Sequence, residues 1–174
     1  GPAGVPPAAA RDPPPPSLGA RPSPAGSDLV DLPRAVSPRG TTDGGRRVTV
    51  GGSGLATVAW ADYTSGFGGV FVATGQIPAN VWTAPIMISL PGVAATDPDL
   101  DTNRAGNAAA TWQTFGGSGA VEATVRPGPS SPWGIPMTLS INGSPALPLV
   151  DDAGRVLTVW NEGISSTKTS TYLP

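Results

Sequence analysis

The chain has 174 residues, 24 Gly and 22 Pro among them, a formal net charge of −2, and neither Cys nor His. That length suits one domain with a substantial core, while the acidic balance excludes a nucleic-acid surface built on clustered positive charge. The missing residue types exclude disulfides, thiol nucleophiles, thiolate metal sites and the commonest general base, and no apolar run is long enough to cross a bilayer as a helix.

Residues 1–28 read as an extended arm or linker. Of the 22 Pro, 11 fall within residues 1–38, where "PPAAARDPPPPS" can neither donate to a β-ladder nor continue a helix. Six Arg, at 11, 21, 34, 39, 46 and 47, face only Asp12, Asp28, Asp31 and Asp43, which leaves the first 47 residues mildly basic. Solubilising charges in a tail explain that better than a docking patch for an acidic surface.

From residue 29 onward the chain repeats itself. "GSGLATVAWA", "RAGNAAATWQ" and "DAGRVLTVWN" place Gly54, Gly106 and Gly154 at the start and Trp60, Trp112 and Trp160 at the end, with spacings of 52 and 48. "VWTAPIMISL" at 81–90 matches "PWGIPMTLSI" at 132–141, pairing Trp82 with Trp133 and Pro85 with Pro136 at a spacing of 51. A fainter copy, "VDLPRAVS", occupies residues 30–37.

Each unit resolves into four short strands. The first, at 55–60, alternates Ala56, Val58 and Trp60 against Leu55, Thr57 and Ala59 with no charge on either face, so it is expected to be covered on both sides. The second alternates around "GVFVAT" or "AVEATV", and the third is "PIMIS" or "PMTLS" behind a leading Pro. The fourth, "DPDLD" or "LPLVD", carries an internal Pro that marks a sheet edge, and it turns back through "TNRAGN" or "DAGR".

The expected fold is therefore all-β, made of antiparallel four-stranded blade repeats like those of a β-propeller, with the Trp-bearing strand, rich in Ala and Gly, nearest the axis where backbones crowd. The units run as a half unit 29–52, full units 53–103 and 104–152, and a half unit 153–174. "GNAAATW" at 106–112 and "WGIPMTLS" at 133–140 resemble the tandem blade repeats of predicted secreted proteins from GC-rich bacteria, in which a Gly-Asn-Ala-x-Ala-x-Trp strand alternates with a Trp-x-x-Pro-x-x-Leu-Ser strand. The resemblance covers residues 29–174 and implies an extracellular or cell-surface protein, without implying any chemistry. Two halves and two full units make only three blades, against the roughly four to eight of a closed propeller. Either two chains complete a ring of six blades, or the chain is a piece of a longer repeat protein, or the strands form another compact β domain.

Candidate sites are few. Asp97, Asp99, Asp101 and Asn103 present the alternating oxygens of a calcium loop, but the sixth position is Thr102 and the twelfth Ala108, where an EF-hand has Gly and Glu. An edge strand carrying solubilising acids explains them equally, so calcium is the sole cofactor candidate. Trp82 and Trp133 are candidate platforms for a sugar or a peptide, although their shared repeat position favours packing between blades. Asp62 with Tyr63, or Tyr172, could in principle line an axial cavity and work as acid and nucleophile in glycoside hydrolysis, but the Ser-x-Asp-x-Gly-x-Thr-Trp box of sialidase-type propellers is missing. The expected function is a noncatalytic extracytoplasmic scaffold or binding module, with a protein partner or a second copy of the chain as its target. Two alternatives stand beside it: a structural subunit of a larger assembly docked through the arm, and lectin-like carbohydrate binding.

Overall fold

The computed structural model describes residue 36 and residues 43–63, 68–115, 119–164 and 166–174. The chain divides into a unit of residues 1–31, which lies outside the described residues, and a unit of residues 32–174, to which everything below refers. The expected arm over 1–28 and all of "VDLPRAVS" except Val36 also lie outside the described residues.

The described residues form twelve strands and one 3-10 turn. They are β1 (Asp43–Val50), β2 (Leu55–Asp62), β3 (Gly69–Gln76), the turn Ile77–Ala79, β4 (Val81–Trp82), β5 (Ile86–Met87), β6 (Ala95–Thr102), β7 (Ala108–Thr114), β8 (Val121–Arg126), β9 (Met137–Ser140), β10 (Leu147–Val150), β11 (Val156–Glu162) and β12 (Ser166–Tyr172). Three sheets result: β1-β2-β3-β4 with β5 also on β3, then β6-β7-β8-β9, then β10-β11-β12. All their ladders are antiparallel. The fold is all-β, as the alternation in the sequence requires, and its sheets are those of an incomplete propeller, with no closed ring among the described residues.

The repeat is exact at the hairpins that open each sheet. The amide of Gly51 donates to Leu55 O, that of Asn103 to Asn107 O and that of Asp151 to Arg155 O. Three residues further on, Gly54, Gly106 and Gly154 donate back to the carbonyls of Gly51, Asn103 and Asp151. All three closing glycines sit at positive φ, between 76° and 89°, which a residue with a Cβ rarely adopts.

Two expectations are corrected. Each sheet begins one strand earlier than the sequence units, because "DPDLD" and "LPLVD" (β6 and β10) pair with the strand that follows them rather than closing the unit before. Consequently the inner edges are β1, β6 and β10, which pack beside one another, and the Trp-bearing strands β2, β7 and β11 lie second in their sheets. Inner-edge strands tolerate Pro because one side of each has no ladder to feed. The Ala-rich composition of β7 reflects sheet stacking on both faces: six of its seven residues are buried.

The sheets stack in chain order. Each has a leading face toward the sheet before it and a trailing face toward the sheet after it. Ala59, Val70, Val72 and Ile88 of the first sheet meet Leu100, Ala110 and Trp112 of the second, with Trp133 packed alongside. Ala109, Val125 and Val121 of the second sheet meet Val150, Val156, Tyr172 and Trp160 of the third. Polar bonds tie the inner edges together. Thr49 and Thr102 share a hydrogen bond of 2.7 Å, and the Val150 amide donates to Asp101 Oδ2 at 2.7 Å.

Candidate functional site

The acids expected to hold calcium lie on β6 and the turn after it. Alternate side chains of a strand stand about 6.6 Å apart, so they do not converge on one ion as the ligands of a loop do. Asp99, Asp101 and Asn103 are also engaged by the fold. Asp99 Oδ1 accepts from the Leu100 amide at 2.8 Å and pairs with Arg47 Nε at 3.3 Å, and Asp101 is held by Val150. Asn103 accepts from the Asn107 amide at 3.0 Å and donates to Asp151 O at 2.7 Å, which makes it a turn brace and a tie between sheets. Asp97 stands at a break in the β6–β7 register with φ of 47°. No group of three or more acidic side chains able to hold a metal exists among the described residues. The placement of Asp97, Asp99, Asp101 and Asn103 thus gives the calcium-loop expectation no support: Asp99, Asp101 and Asn103 instead tie the inner strands to one another.

The two candidate platforms occupy equivalent places with different neighbours. Trp82, half-buried on β4, lies over Gly75, where an added Cβ would come within 2.6 Å of the ring, and its indole N–H donates to Asn80 Oδ1 at 3.0 Å. In the second sheet the position of Gly75 is taken by Arg126. Its guanidinium lies 5.2 Å from the centroid of the half-buried Trp133, a cation–π contact. Trp133 is wedged into the junction between the first two sheets, so for this residue the packing role is the one seen.

Arg126 is the residue that sequence reasoning missed. It is 3% exposed, and no carboxylate pairs with it among the described residues. Its Nη2 donates weakly to Thr57 Oγ1 at 3.3 Å and to Gly106 O at 3.4 Å, while Nε is buried with no acceptor. Burial pushes the guanidinium pKa down. A cleft of about 210 Å³ opens beside it, lined by Thr74 and Thr83 of the first sheet and by Ser130, Ser131 and Trp133 of the second. The signal was present in the alternation Glu122, Thr124, Arg126, which puts all three on the inward face of β8. Without the sheet order that face could not be told from the other.

Two further carboxylates are structural. Trp112 Nε1 donates to Glu122 Oε2 at 2.8 Å, both groups being buried. Glu162 Oε2 accepts from Trp160 Nε1 at 2.9 Å and from the Ser140 hydroxyl at 2.7 Å, which joins the second and third sheets and holds its carboxyl below the usual range.

No protein-family model and no curated protein matches the sequence. Solved structures do resemble the fold. One, a protein of unknown function from Dyadobacter fermentans, is 14% identical with a TM-score of 0.52, covering 65% of this chain and 32% of its own. Another, an endo-arabinase from Bacteroides thetaiotaomicron, is 14% identical with a TM-score of 0.51, covering 82% of this chain and 61% of its own. The chain thus spans about a third of the first and three-fifths of the second. At such identity the likeness concerns repeated antiparallel sheets alone.

Proposed function

We propose that the chain is a noncatalytic extracytoplasmic scaffold or binding module, in which a rigid stack of sheets presents faces and loops to a partner. One observation carries this reading: Glu122, Glu162, Asp99, Asp101 and Asp151 each accept a hydrogen bond or pair with Arg from the fold itself. A hydrolase of the propeller type needs carboxylates directed at a bound sugar. The test is an assay of the purified chain on arabinan and a panel of other polysaccharides. No release of reducing ends above the buffer blank is expected, and turnover abolished by substituting a single acid would overturn the proposal. Export is tested separately by fractionating cells that express the protein.

Lectin-like binding is the second reading, and it rests on Trp82, whose ring lies over Gly75 and is half-exposed. Binding to a glycan array that disappears in Trp82→Ala while the fold persists would favour it. The structural-subunit alternative would place the same sheet faces inside a larger assembly.

A further inference from the structure

The repeat allows each position to be compared with its counterparts in the other sheets. Gly75, Arg126 and Tyr172 are equivalent, since they pair across their ladders with Ala56, Ala108 and Val156, each four residues before its sheet's Trp. In the first sheet the Trp82 ring packs straight onto Gly75. The fold can therefore seat a Trp at this place without a guanidinium beneath it, and packing alone does not account for Arg126.

Nor does hydrogen bonding. A buried Arg is ordinarily paired, because taking its charge out of water is costly. Here Nη2 reaches only Thr57 and Gly106, both at long distance, while Nε–H and the two N–H of Nη1 have no acceptor among the described residues. One positive charge and half of a planar donor fork are thus left unanswered, 97% removed from solvent, beside an open cleft.

We propose that this cleft binds a small hydroxylated monocarboxylate of the hexuronic acid type, whose carboxylate pairs with Arg126. The charge selects a monoanion: Arg126 is the one ionisable residue among those described as lining the cleft, so a doubly charged phosphate would bring an uncompensated negative charge into it. A guanidinium also matches the planar carboxylate in geometry. The other lining groups select a hydroxylated body. Thr83 Oγ1 accepts from the Thr74 amide and so can still donate, Ser131 donates to Pro127 O and so can still accept, and the hydroxyls of Thr74 and Ser130 are uncommitted among the described residues. At about 210 Å³ the cleft is smaller than a drug-sized pocket, which limits the occupant to one small acid or one terminal sugar. The site goes beyond the proposed function and is separate from Trp82, so either can fail alone.

The test titrates the 174-residue chain with glucuronate, glucose, acetate and inorganic phosphate at neutral pH, following the Arg126 Nε–H and Trp133 indole signals by NMR. Glucuronate is expected to shift both signals saturably, with acetate and phosphate weaker by about tenfold or more and glucose without effect. Arg126→Met is expected to abolish the response at Trp133. Should that variant fold poorly, Ser130→Glu, at an exposed position on the rim, sets a tethered carboxylate beside the guanidinium and is expected to weaken glucuronate by about tenfold or more. Trp82→Ala is expected to bind glucuronate as the parent does. The proposal is overturned by a parent chain that does not respond to glucuronate, by phosphate or acetate binding as tightly, or by binding that survives Ser130→Glu or a folded Arg126→Met. Loss of binding in Trp82→Ala would move the site to the first sheet and overturn it as well.

Discussion

The indole N–H of Trp112 on β7 donates to Glu122 Oε2 on β8 at 2.8 Å, joining two buried side chains across one rung of the ladder. Truncating the acid removes the acceptor and leaves a buried N–H unpaired. Glu122→Ala is therefore expected to cost about 2–3 kcal/mol, while Glu122→Gln, which keeps an acceptor, stays within about 1 kcal/mol of the parent. Urea denaturation followed by Trp fluorescence measures both; equal losses would mean that the bond is not what fixes the pair.

Arg126 is buried without a carboxylate, an arrangement that costs desolvation free energy and recovers little of it through Thr57 and the face of Trp133. Arg126→Met, which keeps the unbranched stem and drops the charge, is expected to leave stability unchanged or raise it by about 1 kcal/mol. Trp133→Ala is expected to cost about 2–3 kcal/mol, less than the ~3–5 kcal/mol of a fully buried Trp. A large loss in Arg126→Met would show that the guanidinium has a charged partner in solution.

The Glu162 carboxyl is held low by its bonds from Trp160 and Ser140. Because the folded pKa lies below the unfolded one, this contribution to stability is complete above the unfolded value of about 4.3 and is lost as pH falls through the folded value. Unfolding curves recorded at successively lower pH are expected to show a smaller decline below about pH 4.3 for Glu162→Gln than for the parent chain. An identical decline in the two proteins would assign the acid sensitivity to other carboxylates.

Gly106 closes the β6–β7 hairpin at φ of 89°, and a Cβ there would stand 3.0 Å from Pro129. Gly106→Ala is expected to cost about 1–2 kcal/mol from the left-handed backbone alone, with any shift of the Pro129 loop added to it. Thermal melts of this variant beside Gly92→Ala, whose glycine also has positive φ but no neighbour within 4 Å, separate the two contributions.

With Asp99 engaged by Arg47, Asp101 by Val150 and Asn103 by Asn107, this stretch is expected to ignore calcium. The melting temperature should be the same with millimolar calcium as with EDTA. A calcium-dependent rise lost in Asp99→Asn would restore the ion site.

Composition and spacing alone determined the strands, their antiparallel order and the turn glycines of this protein. Each of these depends on neighbours within a few residues: Ala56, Val58 and Trp60 alternate because a strand has a period of two, and Gly54, Gly106 and Gly154 recur because one hairpin needs positive φ. Which strands share a sheet was decided only in three dimensions, because "DPDLD" and "LPLVD" can pair with the strand on either side and the periodicity is the same both ways. The same holds for Arg126 and for the acids of β6. A side chain's partner on a stacked sheet lies some fifty residues away, and alternation says that two faces exist without saying what covers each of them.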